Sequence, residues 1–203
     1  MSIQAKRYSI VGCSGSGKST LARRLAKQAG LPLLELDSIY HQPGWVPLEE
    51  EAFRRSVLEF MDLHEGWVID GNYQAVRSLV WERASDVVWI HPPLARVMLQ
   101  ITMRTLKRQL RREVLWNGNR ESLSNLYSMN PERSVIAWSL KTYSRYGLEY
   151  EALLAESEAG GFDAHVLRSR KDVEEWFHRL HLVDCSKGAV THHRSEDDSL
   201  GPS

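Results

Sequence analysis

The chain has 203 residues, 42% of them hydrophobic, and its 26 basic and 26 acidic side chains give a formal net charge of zero. This length and composition predict one folded domain with a substantial core, and the zero net charge counts against bulk electrostatic binding to nucleic acid. No apolar run approaches the length of a membrane span, and Lys6 and Arg7 stand where a signal peptide would be apolar. The two cysteines, Cys13 and Cys185, lie far apart, so we expect no structural disulfide and a cytoplasmic location.

Strand and helix patterns alternate along the chain, which predicts an α/β fold with a mainly parallel sheet. The predicted strands are residues 8–12, 33–36, 67–70, 86–90 and 165–168. The predicted helices are residues 20–29, 48–64, 94–114, 134–146 and 171–180. Gly30 can end the first helix, and Pro92 and Pro93 end the fourth strand.

Two stretches lack these patterns. Residues 116–133 hold Gly118, Pro131 and four asparagines, which predicts a mobile insertion. Beyond Asp184 the chain is polar, and we interpret residues 184–203 as a disordered tail. His192 and His193 in that tail leave a metal site open as an alternative. The sequence therefore predicts one domain over residues 1–183.

The most specific signal is a phosphate-binding loop between the first strand and the first helix. Its residues fit G-x-x-x-x-G-K-[ST] and run on into the helix: Gly12, Cys13, Ser14, Gly15, Ser16, Gly17, Lys18, Ser19 and Thr20. Glycines let successive backbone N–H groups face an anion, and the helix N-terminus adds positive potential. We expect Lys18 to reach the β- and γ-phosphates of ATP and Ser19 to bind Mg²⁺.

Two aspartates follow predicted strands and are candidates for the chemistry. Asp70 ends the third strand, where P-loop proteins hold Mg²⁺, usually through water; a helix cap or turn role is the alternative. Asp37 follows the second strand and could orient or deprotonate an acceptor hydroxyl, with a helix N-cap role equally open. Asp86 begins its strand, so it belongs to the opposite edge of a parallel sheet.

The long helix after the fourth strand carries a row of arginines. Arg104, Arg108 and Arg111 have i, i+4, i+7 spacing and share one face. A neighbouring apolar stripe predicts packing on the core and consists of Leu99, Met103, Leu106 and Leu110. With the insertion that follows, this pattern predicts a lid over about residues 104–133 whose guanidinium groups stabilise a transferred phosphoryl group. A solvated helix face is the alternative.

Aromatic residues flank the segments expected near an acceptor. They are Tyr40, Trp45, Trp67, Tyr73 and Trp81. They could stack on a planar substrate, although aromatic side chains are more often part of a core.

With these motifs, the chain resembles adenylate-kinase-like P-loop kinases, and among them most resembles the bacterial topology modulation proteins. The resemblance spans residues 7–180 and rests on residues 9–25, 36–37, 43–47, 67–73 and 167–170 and on the arginine-rich helix. Its specific elements are Pro-Gly-Trp at 43–45 and Asp-Gly-Asn-Tyr at 70–73. The sequence departs at Gln100, where such proteins tend to carry an arginine.

The resemblance implies a P-loop NTPase fold with five parallel strands, flanking helices and a helical lid. It implies an acceptor-binding region over about residues 37–80, in which we expect Asp37, Trp45, Gly71, Asn72 and Tyr73 to contact the acceptor. It places Arg168 and Ser169 near the adenine and gives Asp70 the Mg²⁺-linked role.

The sequence thus predicts a kinase that uses ATP and Mg²⁺ on a small acceptor, with nucleotides and nucleosides among the candidates. One alternative is a nucleotide-dependent regulatory protein that binds DNA or a protein partner. A plain NTPase, with a positioned water instead of an acceptor, is the other.

Overall fold

Five parallel strands form the centre of the structure, a computed structural model that describes residues 5–111, 113–119, 135–156 and 161–188. The strands are β1 (Arg7–Gly12), β2 (Leu33–Glu35), β3 (Trp67–Asp70), β4 (Asp86–Ile90) and β5 (Asp163–Leu167). Their order across the sheet is β2-β3-β1-β4-β5, and every neighbouring pair is parallel. The predicted α/β fold with a five-stranded parallel sheet is confirmed.

Helices follow the strands in the pattern of α/β proteins. They are α1 (Lys18–Ala29), α2 (Leu36–Tyr40), α3 (Glu50–Leu63), α4 (Gln74–Trp81), α5 (Leu94–Leu110), α6 (Val135–Glu156) and α7 (Arg170–Gly188). Short 3₁₀ turns occupy Pro43–Trp45 and Trp116–Gly118. The chain divides into two compact units, residues 1–168 with the whole sheet and residues 169–203 with α7.

The central strands are buried because helices cover both faces of a parallel sheet, which makes them almost uniformly apolar. Val68 of β3 and Val87 and Trp89 of β4 are fully buried. Helix α3 contributes Phe53 and Val57, both fully buried, to the same core. Burying one such side chain stabilises the fold by about 1.5–3 kcal/mol.

Helix α2 begins at Leu36, which the sequence predicted as the end of the second strand. The hydroxyl of Ser38 donates to the Glu35 carbonyl at 2.6 Å, and the Leu36 side chain is buried in the core. Side chain to backbone bonds of this kind compete with strand pairing and start turns. Asp37 therefore lies in the first turn of a short helix that follows directly on β2.

Several helices differ from the prediction, and α5 ends at Leu110 instead of residue 114. Helix α4 was not predicted at all. Helix α6 continues past Tyr146 to Glu156 because Tyr150 and Leu154 extend its buried face. Helix α7 runs to Gly188, so residues 184–188 are helical although the sequence placed them in the tail. The paired histidines and the rest of the tail lie outside the described residues.

The apolar stripe predicted for α5 does not pack on the core. Leu99, Met103, Leu106 and Leu110 are 63%, 58%, 45% and 79% exposed. The buried face consists of Val97, Ile101 and Thr105, which recur every four residues. This face is selected by the phosphate loop, because Ile101 lies against Gly15.

The strands meet at one carboxyl edge that brings the predicted site together. Asp70 at the end of β3 is in register with Ile10 of β1 and with Glu35 of β2. Asp86 lies at the other edge, as predicted, in register with Tyr8. In the described part of the chain, no helix is both long and apolar enough to cross a bilayer.

Candidate active site

The phosphate loop joins β1 to α1 in a tight backbone path. The Ser16 N–H donates to the Cys13 carbonyl at 3.1 Å, and Gly17 precedes the helix with φ of 101°. Gly15 also has a positive φ of 78°, and a Cβ there would collide with Ile101. Glycine is therefore required at this position both by conformation and by space. The loop presents the start of a helix of 12 residues, a site suited to phosphate.

Cys13 is buried inside this loop. Burial raises the pKa of its thiol to about 11, although the nearby Lys18 ammonium acts in the opposite direction. The thiol therefore stays protonated at neutral pH and is a poor nucleophile there.

Asp70 lies beside the two residues of the loop that were predicted to act on phosphate and metal. Ser19 is hydrogen-bonded to the Asp70 carboxylate, and Lys18 is close enough to interact with it electrostatically. Burial raises the pKa of Asp70, Lys18 and Ser19 oppose that shift, and the carboxylates of Asp37 and Glu35 add to it. The structure thus brings these predicted residues together in one site.

This arrangement fits a divalent cation. Asp70 is 5% exposed, and its Oδ1 finds no hydrogen-bond partner among the described residues. No group of three or more His, Cys, Asp or Glu side chains is close enough to hold a metal ion within the same residues. A hydroxyl and one carboxylate, completed by phosphate oxygens and water, are the donor set that Mg²⁺ commonly takes.

Asn72 connects the ends of β1 and β3. Its Oδ1 accepts from the Gly12 N–H at 3.0 Å, and its Nδ2 donates to the Gly12 carbonyl at 2.7 Å. The preceding Gly71 has φ of 150°, and a Cβ there would lie 2.8 Å from Cβ of Leu36. The amide of Asn72 thus holds the first residue of the phosphate loop, and its predicted contact with the acceptor stays a prediction.

Asp37 is held by two neighbours on the acceptor side of the edge. The Tyr73 hydroxyl donates to Asp37 Oδ1 at 2.6 Å and lies 3.3 Å from His41 Nε2. Burial, together with the Asp37 charge, raises the pKa of Tyr73, so its phenol stays protonated as a donor. Burial lowers the pKa of His41, although Asp37 opposes this. The predicted residues Asp37 and Tyr73 thus meet, and His41 joins them.

Glu35 is a site residue that the sequence did not single out. Its two carboxylate oxygens accept from Arg23 Nε and Nη2 at 2.5 and 2.9 Å, and Oε2 also lies 3.4 Å from Trp116 Nε1. The sequence could have indicated Glu35, because it ends the strand beside that of Asp70 and parallel strands bring such ends to the same edge of the sheet.

Residues 115–119, which we name the docking segment, pack against the backbone of residues 38–45. Asn117 Nδ2 donates to the carbonyls of Ser38 and His41 at 3.1 and 2.6 Å. Asn119 Nδ2 donates to the Gln42 carbonyl at 2.9 Å. Asn119 Oδ1 accepts from the Trp45 N–H at 3.0 Å. The predicted mobile insertion is therefore corrected for residues 116–119, and residues 120–133 lie outside the described chain.

Of the three predicted lid arginines, Arg104 reaches the phosphate loop. Its Nη2 donates to Ser14 Oγ at 3.1 Å. Arg108 is half-buried one turn further on, and Arg111 is exposed near the end of the helix. Gln100, one turn before Arg104, has its Oε1 buried without a hydrogen-bond partner among the described residues.

The remaining predicted residues have structural partners. Arg168 pairs with Glu151 at 3.0 Å, and both side chains are more than half exposed. Ser169 caps the start of α7, where its Oγ accepts from the Asp172 N–H at 3.1 Å. Trp67 is fully buried in the core. Trp81 packs on Tyr150 and Phe162, and Tyr40 contacts Tyr73.

Comparison with known proteins gives a structural match only. The sequence matches no protein-family model and no curated protein. A gluconokinase from Sinorhizobium meliloti 1021 aligns with a TM-score of 0.52 at 17% identity, covering 93% of this chain and 99% of that one. A sugar kinase from Janibacter sp. HTCC2649 gives 0.50 at 21% identity, with the same coverage.

A shikimate kinase from Acinetobacter baumannii, solved with shikimate, aligns with a TM-score of 0.52 at 14% identity. The match covers 91% of this chain and 96% of that one. At such identities the likeness concerns the fold. The chain has the fold of P-loop kinases, with a five-stranded parallel sheet flanked by helices.

Proposed function

We propose that this protein is an ATP-dependent, Mg²⁺-requiring kinase that phosphorylates a hydroxyl group of a small acceptor. One observation carries the proposal: Ser19 bonds to buried Asp70 beside Lys18, at the edge where Asp37 is held by Tyr73. Phosphate binding, metal binding and acceptor activation thus have candidate groups within one site. The P-loop kinase fold supports this assignment.

The donor side of the site consists of residues 12–20. Backbone N–H groups of this loop would hold the phosphates of ATP, and Lys18 would contact the β- and γ-phosphates. Ser19 would ligate Mg²⁺ directly and Asp70 through water. When bound, Mg²⁺ would neutralise negative charge on the phosphates. Arg168 and Ser169 remain our proposal for the adenine end.

The acceptor side depends on Asp37. With Oδ1 occupied by the Tyr73 hydroxyl, Oδ2 would accept a hydrogen bond from the acceptor hydroxyl. That oxygen attacks the γ-phosphorus, the bond from the γ-phosphorus to the bridging oxygen breaks to give ADP, and Asp37 takes the proton. Trp45, Gly71, Asn72 and Tyr73 remain our proposal for the acceptor surroundings.

Arg104 would stabilise charge on the transferred group. Its contact with Ser14 supports that position, because the loop also holds the phosphates. We extend the role to Arg108 and Arg111 and propose that a lid begins at Arg104. Exclusion of water by a lid prevents hydrolysis of the bound donor.

We also propose a family and a location for the protein. Because of the motifs at residues 43–45 and 70–73, we place it with the topology modulation proteins and in the cytoplasm.

A regulatory protein is the second candidate, and one observation favours it. The exposed apolar residues of α5 form a row beside its arginines, and exposed apolar patches often mark interaction surfaces. In that case ATP would control a partner-binding surface, with little transfer to a small molecule.

The deciding experiment measures ADP release from ATP and Mg²⁺ with a panel of nucleosides, nucleotides and small hydroxylated metabolites. We expect one acceptor to accelerate release, and Lys18→Ala to abolish the acceleration. Lys27→Ala is the matched control, because Lys27 is exposed at the far end of α1. Tight ATP binding with no acceleration of ADP release by any acceptor would favour the regulatory protein. Steady ATP hydrolysis that no acceptor diminishes would indicate a plain NTPase.

A further inference from the structure

Three side chains on the acceptor side form one line of hydrogen bonds. The Tyr73 hydroxyl oxygen lies 2.6 Å from Asp37 Oδ1 and 3.3 Å from His41 Nε2. A phenol has one proton, and an ionised carboxylate only accepts, so the Tyr73 proton lies toward Asp37. The contact with His41 is then a hydrogen bond only if Nε2 carries a proton and donates it. The line therefore runs from His41 through Tyr73 to Asp37.

The surroundings of the His41 ring favour the same position for its proton. Nδ1 is buried and has no hydrogen-bond partner among the described residues. A proton on Nδ1 would thus be a buried donor without an acceptor, which is rare in proteins. Burial also lowers the pKa of His41, although the charge of Asp37 opposes this, so the ring is neutral at pH 8. A neutral ring with its proton on Nε2 can donate to Tyr73.

The docking segment contacts His41 through both its ring and its backbone. The rings of Trp116 and His41 stack with centroids 6.3 Å apart and an interplanar angle of 28°. Asn117 Nδ2 donates to the His41 carbonyl at 2.6 Å. His41 therefore connects the docking segment with Tyr73 and, through it, with Asp37.

The backbone at this contact has an uncommon conformation on both sides. Trp45 and Asn117 have φ of 62° and 55°, and they are the non-glycine residues with positive φ in the part of the chain that the structure describes. Trp45 also meets the His41 ring edge-on at 5.2 Å, and its N–H donates to Asn119 Oδ1. Such conformations cost free energy and persist where surrounding contacts fix them, which is common at functional sites.

We infer that His41 is a positioning residue through which the docking segment fixes Tyr73 as the hydrogen-bond donor to Asp37. This inference rests on the proposed function, because it names residues that orient the acceptor base of the same site. A proton on Nε2 prevents the Tyr73 hydroxyl from turning its own proton toward His41. Oδ1 of Asp37 then stays occupied, and Oδ2 is left for the acceptor hydroxyl. The bond from His41 also strengthens the bond from Tyr73, since hydrogen bonds in a chain polarise one another.

Nuclear magnetic resonance tests the direction of these bonds without any acceptor. In protein labelled with nitrogen-15 at histidine and held at pH 8, the variant His41→Gln assigns the His41 signals by their loss. We expect the Nε2 proton of His41 to exchange with water at least about tenfold more slowly than a ring proton of the exposed His178. Tyr73→Phe should abolish this protection, because the accepting oxygen is gone. A proton on Nδ1 instead of Nε2 would overturn the inference.

Two variants of His41 separate positioning from packing in the kinase assay. Both lose the ring that stacks on Trp116, but glutamine can place an amide N–H near the position of Nε2, and asparagine is too short. We expect His41→Asn to lower kcat about tenfold with the KM for ATP unchanged, and His41→Gln to stay within about threefold of the parent protein. Adding His41→Asn to Tyr73→Phe should cost little more than Tyr73→Phe alone, because both act through one hydrogen bond. Equal losses in His41→Asn and His41→Gln would overturn the inference and leave the kinase standing.

The contribution of the docking segment is tested with Asn117→Gly, which removes the amide and tolerates the positive φ. We expect this variant to speed exchange of the His41 Nε2 proton about tenfold and to lower kcat about threefold or more. Gln28→Ala removes an exposed amide from α1 and should change neither. Unchanged exchange and kcat in Asn117→Gly would refute the role of the docking segment. If no acceptor is phosphorylated, the kinase proposal fails on those acceptors, and proton exchange still decides whether His41 donates to Tyr73.

Discussion

At the scale of single residues, Asn72 shows what one position of the Asp-Gly-Asn-Tyr segment does in the structure. Its amide makes two bonds to the backbone of Gly12, 60 residues earlier in the chain. A side-chain amide can donate and accept at once, and here it does so toward the N–H and the carbonyl of the same residue. Asn72 thereby fixes the entry to the phosphate loop, while its neighbours Asp70 and Tyr73 contact Ser19 and Asp37 of the candidate site.

We predict that Asn72→Ala weakens ATP binding about tenfold and lowers the free energy of unfolding by about 1–3 kcal/mol. The reason is that the Gly12 N–H and carbonyl lose their partners in a partly buried position. Calorimetric titration with ATP and urea unfolding measure the two effects. Gln74→Ala removes an exposed amide two residues away and should change neither. Unchanged ATP affinity in Asn72→Ala would contradict the role of this residue.

At the scale of elements, α5 shows how packing overrides a periodic pattern. Its sequence offers an apolar row at Leu99, Met103 and Leu106 and another at Val97 and Ile101, and only the second is buried. The contact of Ile101 with Gly15 fixes the rotation of the helix. That same rotation directs Arg104 to Ser14.

We predict that Arg104→Ala lowers kcat by about 10²-fold or more once an acceptor is known, by analogy with arginines that stabilise phosphoryl transfer. The KM for ATP should change far less, because the arginine acts on charge that develops in the transition state. Steady-state kinetics separate the two constants. Lys107→Ala on the same helix is the exposed control. A rise in KM with kcat unchanged would show that Arg104 binds the ground state and the transition state equally and does not stabilise the transition state in particular.

At the scale of the whole molecule, the carboxyl ends and the amino ends of the parallel strands carry different groups of polar side chains. The carboxyl edge carries the candidate site, and the opposite edge carries a polar network centred on buried Asp86. Lys6 Nζ and His165 Nε2 lie 2.9 and 3.0 Å from its carboxylate oxygens, and Ser85 Oγ donates at 2.7 Å. This network joins β4 to β5 and to the residues before β1, so its role is stability.

We predict that Asp86→Asn lowers the free energy of unfolding by about 1–3 kcal/mol at pH 7. Burial raises the pKa of Asp86, but hydrogen bonds from His165, Lys6 and Ser85 outweigh it and lower the pKa overall. A carboxyl group whose pKa is lower in the folded than in the unfolded protein stabilises the fold at pH values above its unfolded pKa. This contribution to the free energy of unfolding is lost as the pH falls through the pKa of the folded protein.

The difference between Asp86→Asn and the parent protein should therefore shrink below about pH 4, near the unfolded pKa of an aspartate. Urea unfolding at pH 7 and pH 3.5 measures it. Asp62→Asn, at an exposed ion pair with Arg83, should change the free energy of unfolding by under about 0.5 kcal/mol at either pH. If the stability difference between Asp86→Asn and the parent protein became larger at low pH, the predicted lowering of the Asp86 pKa would be wrong.

The sequence by itself determined the α/β class, the five strands and the phosphate loop, because each depends on neighbouring residues. A strand is read from four or five consecutive apolar positions, and the loop from eight consecutive residues whose spacing is dictated by phosphate geometry. Asp70 was predictable from its place at a strand end, since parallel strands bring such ends together.

Only the tertiary structure decided which partners those residues meet. The bond from Trp116 to Glu35 joins residues 81 apart in sequence, and those from Asn117 to Ser38 and His41 join residues 79 and 76 apart. Composition indicated a loop at residues 116–133, yet the docking segment is ordered because distant carbonyls accept its amide groups. The buried face of α5 was likewise set by contact with Gly15, and no local pattern encodes that contact.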